Sequence, residues 1–411
     1  MLFKRPIQLY VDSFSGLSKP AWMLALVMLL NRMGAMVIPF LAVYVTKELH
    51  FTKIEAGIVL STFGIGSVIG SLLGGWLTDK VGSLRVQSFS LFLSAPVFAL
   101  IPQFTSLQGV AGIILVLSII VETFRPSNSS SISTYAKPEN ITRAFSLNRM
   151  AINLGFSFGP AMGGLLATIS YAWLFYGNAV GALITGFVFY GYFRFKRKNR
   201  KSLVVHETII DANIVDDERS PYKDRLFLIF SLMCVLYSIV FSQLISVLPL
   251  FYGDEINMSQ AEIGMILGYS GLFIVITEMV IVHYLDKKFD LYTNIVIGTV
   301  LIGITFLLLL FSQSTWMLYL SMTFLCLSEI LVLPFISTVA AVRAGKKYKG
   351  AYMGVNSLSF SIALIITPYL ATQVITIYGY EMLWIINTII ALLAAIGFYL
   401  VGKKIKREKR V

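Results

Sequence analysis

Twelve long apolar runs constrain what this chain can fold into more than any other feature of its sequence. A helix needs about 20 predominantly apolar residues to cross the roughly 30 Å hydrocarbon core of a bilayer. Runs of at least that length, bounded by charged or turn residues, extend over 20–45, 54–78, 84–103, 107–134, 141–168, 172–194, 224–251, 259–286, 290–312, 314–343, 348–376 and 379–402. They predict an all-α membrane protein with twelve transmembrane helices.

The composition agrees with this prediction and argues against other classes. Of the 411 residues, 57% are hydrophobic and 13% are charged, whereas soluble domains carry about 25% charged residues. A membrane β-barrel would show short alternating segments instead of continuous apolar runs. We expect the first run to be retained and not cleaved as a signal peptide, because it is too long and holds Arg32 at its centre.

The sequence also offers no chemistry of an enzyme or a cofactor protein. Cys234 and Cys326 both lie inside apolar runs, and neither has a second cysteine or a histidine at metal-ligand spacing. No nucleophile or phosphate-binding motif survives inspection. We therefore expect no enzymatic activity, no metal and no cofactor.

The distribution of Lys and Arg predicts the orientation of the chain. These residues gather in the N-terminal segment, in every second loop after it and in the tail 403–410, whereas the intervening loops hold only Lys47 and Lys53. Because basic loops stay on the cytoplasmic side, both termini are predicted to be cytoplasmic, in a bacterial inner membrane. The net charge of +12 is then explained by anionic lipid head groups and not by nucleic acid.

The longest hydrophilic segment follows the sixth run and divides the chain into halves. The predicted domains are an N-terminal six-helix bundle over 1–194, a cytoplasmic linker over 195–223 and a C-terminal six-helix bundle with a basic tail over 224–411.

Landmark residues recur between these halves. Pro126 and Pro334 are 208 residues apart, and Asp79 and Asp286 are 207 residues apart. Each half has an even number of spans, so two such copies share one membrane orientation, as in transporters that work by alternating access.

The loop after the second run carries a recognisable motif over residues 75–85, with the sequence Gly-Trp-Leu-Thr-Asp-Lys-Val-Gly-Ser-Leu-Arg. Gly75 allows close helix approach, Asp79 can cap a helix N-terminus, and Gly82 permits a tight turn. The loop resembles the signature loop of the major facilitator superfamily. The resemblance implies a role in gating for Gly75, Asp79, Lys80, Gly82 and Arg85, and we add Arg149 and Asp286 to this group. The corresponding loop of the second half keeps Asp286 and Lys287 without the glycines, which argues against an equal role for that loop in gating.

A glycine- and proline-rich stretch lies in the fifth run. It comprises Gly155, Gly159, Pro160, Gly163 and Gly164, which we interpret as a helix-packing motif, because small residues let helices approach closely. The stretch resembles the motif of drug:proton antiporters within the superfamily. The chain as a whole is most similar to the bacterial drug:proton antiporter and dipeptide exporter group.

Ionisable residues inside the apolar runs are the candidate functional residues, since each costs at least about 2.5 kcal/mol on insertion scales. They are Arg32, Glu122, Arg125, Glu278 and Glu329. The resemblance implies that the first, fourth, seventh and tenth spans line a central cavity, which would bring four of them, all except Glu278, into one site. Tyr44, Tyr237 and Phe241 are further candidates for the substrate cavity.

These charges allow a structural and a functional interpretation. Glu122 can form an ion pair with Arg32 or with Arg125 that only tethers helices. Alternatively, Glu329 or Glu122 carries a proton, with Glu329 preferred because it has no basic neighbour within a helical turn. Glu278 belongs either to this proton pathway or to a cytoplasmic gate. The two arginines would then hold a substrate carboxylate or tune the glutamate.

The predicted function is proton-coupled transport of small organic solutes, driven by the proton gradient, with export of amphiphilic compounds as the leading possibility. Transport of zwitterionic di- or oligopeptides is the alternative, since two arginines and two glutamates suit a solute with two charged ends. The predicted partners are the solute and the lipid bilayer, and the predicted state is a monomer.

Overall fold

The computed structural model describes residues 4–34, 37–198, 219–311, 314–345 and 347–408, and within these ranges all regular structure is helical. The α-helices of the described residues are α1 (Lys4–Phe14), α2 (Lys19–Met33), α3 (Val37–Lys47), α4 (Lys53–Val81), α5 (Ser83–Leu100), α6 (Leu107–Glu122), α7 (Phe124–Tyr135), α8 (Ile141–Ile169), α9 (Ala172–Lys198), α10 (Arg225–Phe241), α11 (Gln243–Ser246), α12 (Leu248–Asp254), α13 (Gln260–Lys288), α14 (Leu291–Phe311), α15 (Thr315–Arg343) and α16 (Lys349–Glu408). Nine helices in this part of the chain are long and apolar enough to cross a membrane.

Three of the predicted spans are interrupted helices. The fourth span is split at Thr123 into α6 and α7, and the seventh is split into α10, α11 and α12. Pro126 and Pro249 lie in the first turn after these breaks, where a proline removes the backbone donor that would continue the preceding helix. The first span likewise comprises α2 and α3.

Two further features differ from the apolar runs. The last two runs form one helix of 60 residues, α16, whose backbone leaves helical geometry at Gly379 with φ 80° and ψ 176°. Helix α1 lies before the first apolar run. Its sequence mixes polar and apolar residues and contains no long apolar stretch, so the apolar runs do not predict it.

The contacts group the chain into two compact units. The N-terminal unit comprises Leu17–Ser220 and Ala341–Leu358, and the C-terminal unit comprises Met1–Gly16, Pro221–Ala340 and Ser359–Val411. The chain thus changes unit at 220/221, within the predicted linker, and residues 199–218 of that linker lie outside the described residues. The domain division 1–194, 195–223 and 224–411 stays a prediction.

Glycines bring the helices of the N-terminal unit close together. Helix α4 packs along α6, α2 packs against α8, and α5 packs against α9. On α4, a Cβ atom at Gly70 would lie 2.6 Å from the Ile119 carbonyl oxygen and 3.0 Å from the Glu122 Cβ. The absence of a side chain at Gly70 therefore sets how closely α6 and its terminal Glu122 approach α4.

Helix α7 is polar although it is buried. Its buried residues include Ser127, Asn128, Ser130, Ser131 and Ser133. The Ser127 hydroxyl lies 2.7 Å from the hydroxyl of Thr78 on α4, and the Gln87 side chain on α5 donates to the Ser131 hydroxyl at 2.7 Å. These bonds satisfy the Ser127 and Ser131 hydroxyls of α7 on its neighbours instead of in water.

Aromatic side chains fill the core of the C-terminal unit. Trp384 on α16 is 1% exposed, and its ring lies 5.2 Å from that of Phe306 in a stacked arrangement and 5.2 Å from that of Phe251 at nearly a right angle. On α14, a Cβ at Gly298 would lie 2.6 Å from Val332 of α15. In both units, therefore, glycines allow neighbouring helices to pack closely.

Candidate functional site

A small polar cavity lies inside the N-terminal unit, among helices α2, α4, α5, α6 and α9. Its volume is about 60 Å³, whereas one water needs about 10–15 Å³ by the same measure, so it has room for a few waters. Its lining residues are Asn31, Arg32, Gly34, Val37, Phe63, Ser94, Phe98, Leu117, Val121, Glu122, Asn178 and Ala182. Two of the charged residues singled out by the sequence, Arg32 and Glu122, therefore meet at one cavity.

Arg32 enters this cavity from the last turn of α2. Gly155 on α8 leaves the space that the Arg32 side chain occupies, since a Cβ at Gly155 would lie 2.5 Å from the Arg32 Cβ. The guanidinium carbon lies 5.4 Å from the centre of the Phe156 ring. The Nε atom is buried and has no hydrogen-bond partner among the described residues.

Glu122 is paired across the break between α6 and α7. Its Oε2 lies 3.5 Å from Nη1 of Arg125, and the residue is 8% exposed. No salt bridge joins it to Arg32 within the described residues, although Arg32 lies within the electrostatic influence of both partners. Of the two ion pairs that the sequence allows, the structure forms the one between residues three positions apart.

In the C-terminal unit, Glu329 lies on α15 and is 5% exposed. Its chain neighbour Ser328 has its hydroxyl 3.1 Å from the hydroxyl of Tyr237 on α10, and the Tyr237 and Phe241 rings stack with centres 6.1 Å apart. The structure thus places Tyr237 against the residue that precedes the predicted proton carrier, with the Phe241 ring stacked on Tyr237 and both rings buried. The proposed sharing of one site by Glu329 and Arg32, which lie in different units, stays a prediction.

Two other candidates lie in different surroundings. Tyr44 is 3% exposed within an apolar cluster and contacts the Phe175 ring at 4.8 Å, so it does not line the Arg32 cavity. Glu278 is fully buried on α13, and its assignment to the proton pathway or to a gate stays open.

The signature loop forms a contact between two helices of the N-terminal unit. The Asp79 carboxylate accepts hydrogen bonds from the backbone N–H groups of Gly350 at 2.6 Å and Ala351 at 2.8 Å, in the first turn of α16. A Cβ at Gly75 would lie 2.6 Å from the Gly350 carbonyl oxygen. Gly82 ends α4 with φ 94°, a left-handed conformation that favours glycine. Asp79 therefore stabilises the positive end of the α16 dipole.

The remaining loop candidates have more local contacts. The Lys80 ammonium lies 4.2 Å from the Trp76 ring centre, and the exposed Arg85 donates to the Val81 carbonyl at 3.5 Å. Arg149 is partly buried on α8, and Asp286 is partly buried on α13. Their roles in gating stay predictions.

All five residues of the glycine-proline motif lie within α8. Gly155, Gly159 and Gly163 are buried, and Gly155 makes the close contact with Arg32 described above. The motif thus reaches the cavity through at least this one position.

Some cavity residues were not among the sequence candidates. Asn31 and Asn178 line the cavity; Asn31 precedes Arg32 directly, and Asn178 is a lone amide within an apolar stretch. That signal was present in the sequence, but an isolated Asn is also a common packing residue. Cys234 and Cys326 are buried free thiols, and among the described residues no group of His, Cys, Asp and Glu is arranged to hold a metal.

The family model of the Major Facilitator Superfamily matches residues 24–291 and 230–411. The chain therefore belongs to the Major Facilitator Superfamily, and it is a multi-pass membrane transporter with the twelve-helix fold of that family. The prediction of fold class is confirmed.

Among its relatives is the uncharacterized MFS-type transporter YttB of Bacillus subtilis, 27% identical over 93% of this chain and 95% of YttB. The quinolone resistance protein NorA of Staphylococcus aureus is 23% identical over 82% of this chain and 84% of NorA. The crystal structure of the human organic anion transporter MFSD10 superposes with a TM-score of 0.72 at 18% identity, covering 92% of this chain and 98% of that one.

Proposed function

We propose that this protein is a proton-coupled secondary transporter that exports amphiphilic organic solutes across a bacterial inner membrane by alternating access. Both termini would lie in the cytoplasm, and the proton gradient would supply the energy. The observation that carries the proposal is the placement of two buried carboxyl groups, Glu122 and Glu329, inside apolar helices. The similarity to NorA, a quinolone resistance protein, supports export of amphiphiles.

A buried carboxyl group suits proton coupling because protonation removes its charge. A charged group in an apolar environment is costly, and its neutral form costs much less. A transporter that alternately exposes such a group to each side of the membrane therefore links its conformational change to proton transfer.

Glu329 is the preferred proton carrier. The residues within one turn of Glu329 on α15 are uncharged, and protonation of Glu122 would break its ion pair with Arg125 at 3.5 Å. The rings of Tyr237 and Phe241 stack on helix α10 and are buried, so they would contact a flat apolar solute only after a conformational change exposes them.

Liposomes that contain the purified protein and an internal pH dye test the proposal. A panel of lipophilic cations should drive proton movement with the wild type and none with Glu329→Gln, while solute exchange without a gradient persists in the variant. Glu381→Gln, a change at an exposed glutamate of the same unit, should behave as the wild type. Full proton-driven transport by Glu329→Gln would remove Glu329 from the mechanism.

Transport of zwitterionic di- or oligopeptides is the second candidate. It is favoured by the cavity in which Arg32 lies beside the Glu122–Arg125 pair, since such a set can bind both a carboxylate and an ammonium group. Proton movement that a dipeptide mixture elicits and lipophilic cations do not would select this candidate.

A further inference from the structure

We infer that the cavity of the N-terminal unit binds one small monovalent anion, either a halide ion or the carboxylate of an organic solute, on the guanidinium of Arg32. The inference goes beyond the proposed function, because such binding requires neither a proton gradient nor transport.

The first argument is the unsatisfied guanidinium. Arg32 Nε is buried without a hydrogen-bond partner among the described residues, and Arg32 forms no salt bridge to them. The cation–π contact with Phe156 at 5.4 Å offsets only part of the cost of removing a full charge from water. A partly buried cation that no carboxylate pairs directly is a site that an anion stabilises.

The second argument is the balance of charge around the cavity. Glu122 is the carboxylate that lines it, and its Oε2 is already engaged by Arg125 at 3.5 Å. Arg32 is therefore the guanidinium of the cavity lining that this carboxylate does not pair directly. One bound monovalent anion balances the single charge of Arg32, whereas a cation would add to that charge and a dianion would exceed it.

The third argument concerns size and polar lining. A volume of about 60 Å³ exceeds that of one water several-fold, but it is far below the ~300–1,000 Å³ of sites that enclose a drug-sized ligand. The amides of Asn31 and Asn178 and the hydroxyl of Ser94 share the lining with Arg32. The space suits a halide with one or two waters, or the carboxylate end of a solute that extends out of the cavity.

The fourth argument is that the position of Arg32 is fixed by its surroundings. Gly155 contacts the Arg32 Cβ so closely that any side chain at 155 displaces it. A guanidinium held in this way loses little conformational freedom on binding an anion, which favours affinity.

Anion binding can be measured on the purified full-length protein in detergent. Saturable broadening of the ³⁵Cl NMR line of sodium chloride, at an ionic strength kept constant with sodium sulfate, whose dianion does not match the single charge of Arg32, reports the halide. The unfolding midpoint in the same titration reports stabilisation. We expect saturable broadening and a rise in midpoint for the wild type, and the loss of both for Arg32→Gln.

Matched variants keep the test decisive. Lys137→Gln removes an exposed cation of the same unit and should keep the full response. If Arg32→Gln does not fold, Gly155→Ala serves instead, because it shifts Arg32 without removing the charge, and it should weaken binding several-fold. An equal response in wild type and Arg32→Gln would overturn the inference.

Sodium formate distinguishes the two sources of anion. If formate displaces chloride and reverses the broadening, the site accepts both halide and carboxylate. Stabilisation by formate with no chloride response assigns the site to a solute carboxylate. No response to either anion overturns the inference. Glu329→Gln should keep anion binding, so a failure of the proton-coupling proposal is distinguishable from a failure here.

Discussion

The loops that follow the second helix of each half carry the same Asp-Lys pair and form different structures. In the first half, α4 ends at Val81, Gly82 turns the chain at φ 94°, and Asp79 accepts two backbone hydrogen bonds from α16. In the second half, α13 continues through Asp286 to Lys288 and ends at Phe289 in extended conformation. There the next residue, Asp290, accepts hydrogen bonds from the backbone of α14 and pairs with Lys406 at 2.8 Å.

The difference shows what the glycines of the first loop provide. Gly75 and Gly350 leave room for two backbones to touch, which allows Asp79 to reach the end of another helix. In the second half, where these glycines are absent, Asp286 likewise lies two residues before the end of its helix, and a different residue, Asp290, caps the following helix. The repeat therefore preserves the Asp-Lys pair in sequence, while the residue that ends the preceding helix changes from glycine to phenylalanine.

The largest effect is expected for Asp79→Ala. This change leaves the N–H groups of Gly350 and Ala351 without their acceptor and removes a charge from a helix N-terminus, at a cost of about 1–3 kcal/mol in the free energy of unfolding. Solute transport in liposomes should fall strongly as well. Asp290→Ala removes the half-exposed capping aspartate of the second loop and should cost less. An equal loss of stability in the two variants would contradict the contrast between the loops.

The second largest effect is expected for Gly75→Ala. The new methyl group would lie 2.6 Å from the Gly350 carbonyl oxygen, a backbone atom that cannot easily move away. We expect destabilisation of about 1–3 kcal/mol. Gly57→Ala on the same helix is the control, since a Cβ there meets nothing within 4 Å; it should be neutral or stabilising, as alanine favours helix. Thermal unfolding of the purified variants measures both.

A smaller effect is expected for Gly82→Ala. The φ of 94° at this turn places an alanine in left-handed geometry, at a cost of about 1–2 kcal/mol. The control is Gly112→Ala within α6, where a Cβ meets nothing within 4 Å. If the two alanines shift the unfolding midpoint equally, the turn at Gly82 does not require glycine.

The smallest effect concerns the cap of the second loop. Burial raises the pKa of Asp290, but the hydrogen bonds from Lys406 and Thr293 and the charge of Lys406 outweigh it and hold the pKa below its ordinary value. The stabilisation is therefore fully present above the ordinary carboxyl pKa of about 3.9 and is lost as the pH falls through the lowered value.

Because the Lys406 and Asp290 side chains are 49% and 43% exposed, the pair contributes less than about 1 kcal/mol. Lys406→Gln should lower the unfolding midpoint slightly at pH 7, and the difference from wild type should shrink towards pH 3. A difference that stays constant over this range would indicate that the Asp290 carboxylate is not involved.

The sequence predicts the uninterrupted helices well and the interrupted ones less well. Helices α4, α8, α13 and α15 match apolar runs, because the length of a membrane crossing is set by the bilayer. The breaks beside Pro126 and Pro249 depend on whether neighbouring groups satisfy the freed backbone, and a hydropathy pattern carries no such information.

The candidate site was likewise only partly predictable from the sequence. Arg32 and Glu122 were predictable because charges inside apolar runs are rare, and the structure places both at one cavity. The partner of Glu122 was not predictable, since Arg32 and Arg125 were both within reach. Tyr44 belongs to an apolar cluster instead, because an aromatic residue carries no signal that separates packing from solute binding.

The buried hydroxyls of α7 have a consequence for how the chain enters the membrane during synthesis. A segment with the sequence Phe-Arg-Pro-Ser-Asn-Ser-Ser-Ser-Ile-Ser-Thr-Tyr is too polar to leave the translocon for lipid by itself. Thr78 and Gln87, which bond to the Ser127 and Ser131 hydroxyls, belong to earlier helices that emerge from the ribosome first, whereas Asn148, which bonds to Asn128, belongs to a later helix. Insertion of this half of the fourth span therefore requires that the second and third spans are already in the membrane. Deleting those two spans should leave residues 124–135 outside the bilayer in a glycosylation-mapping assay.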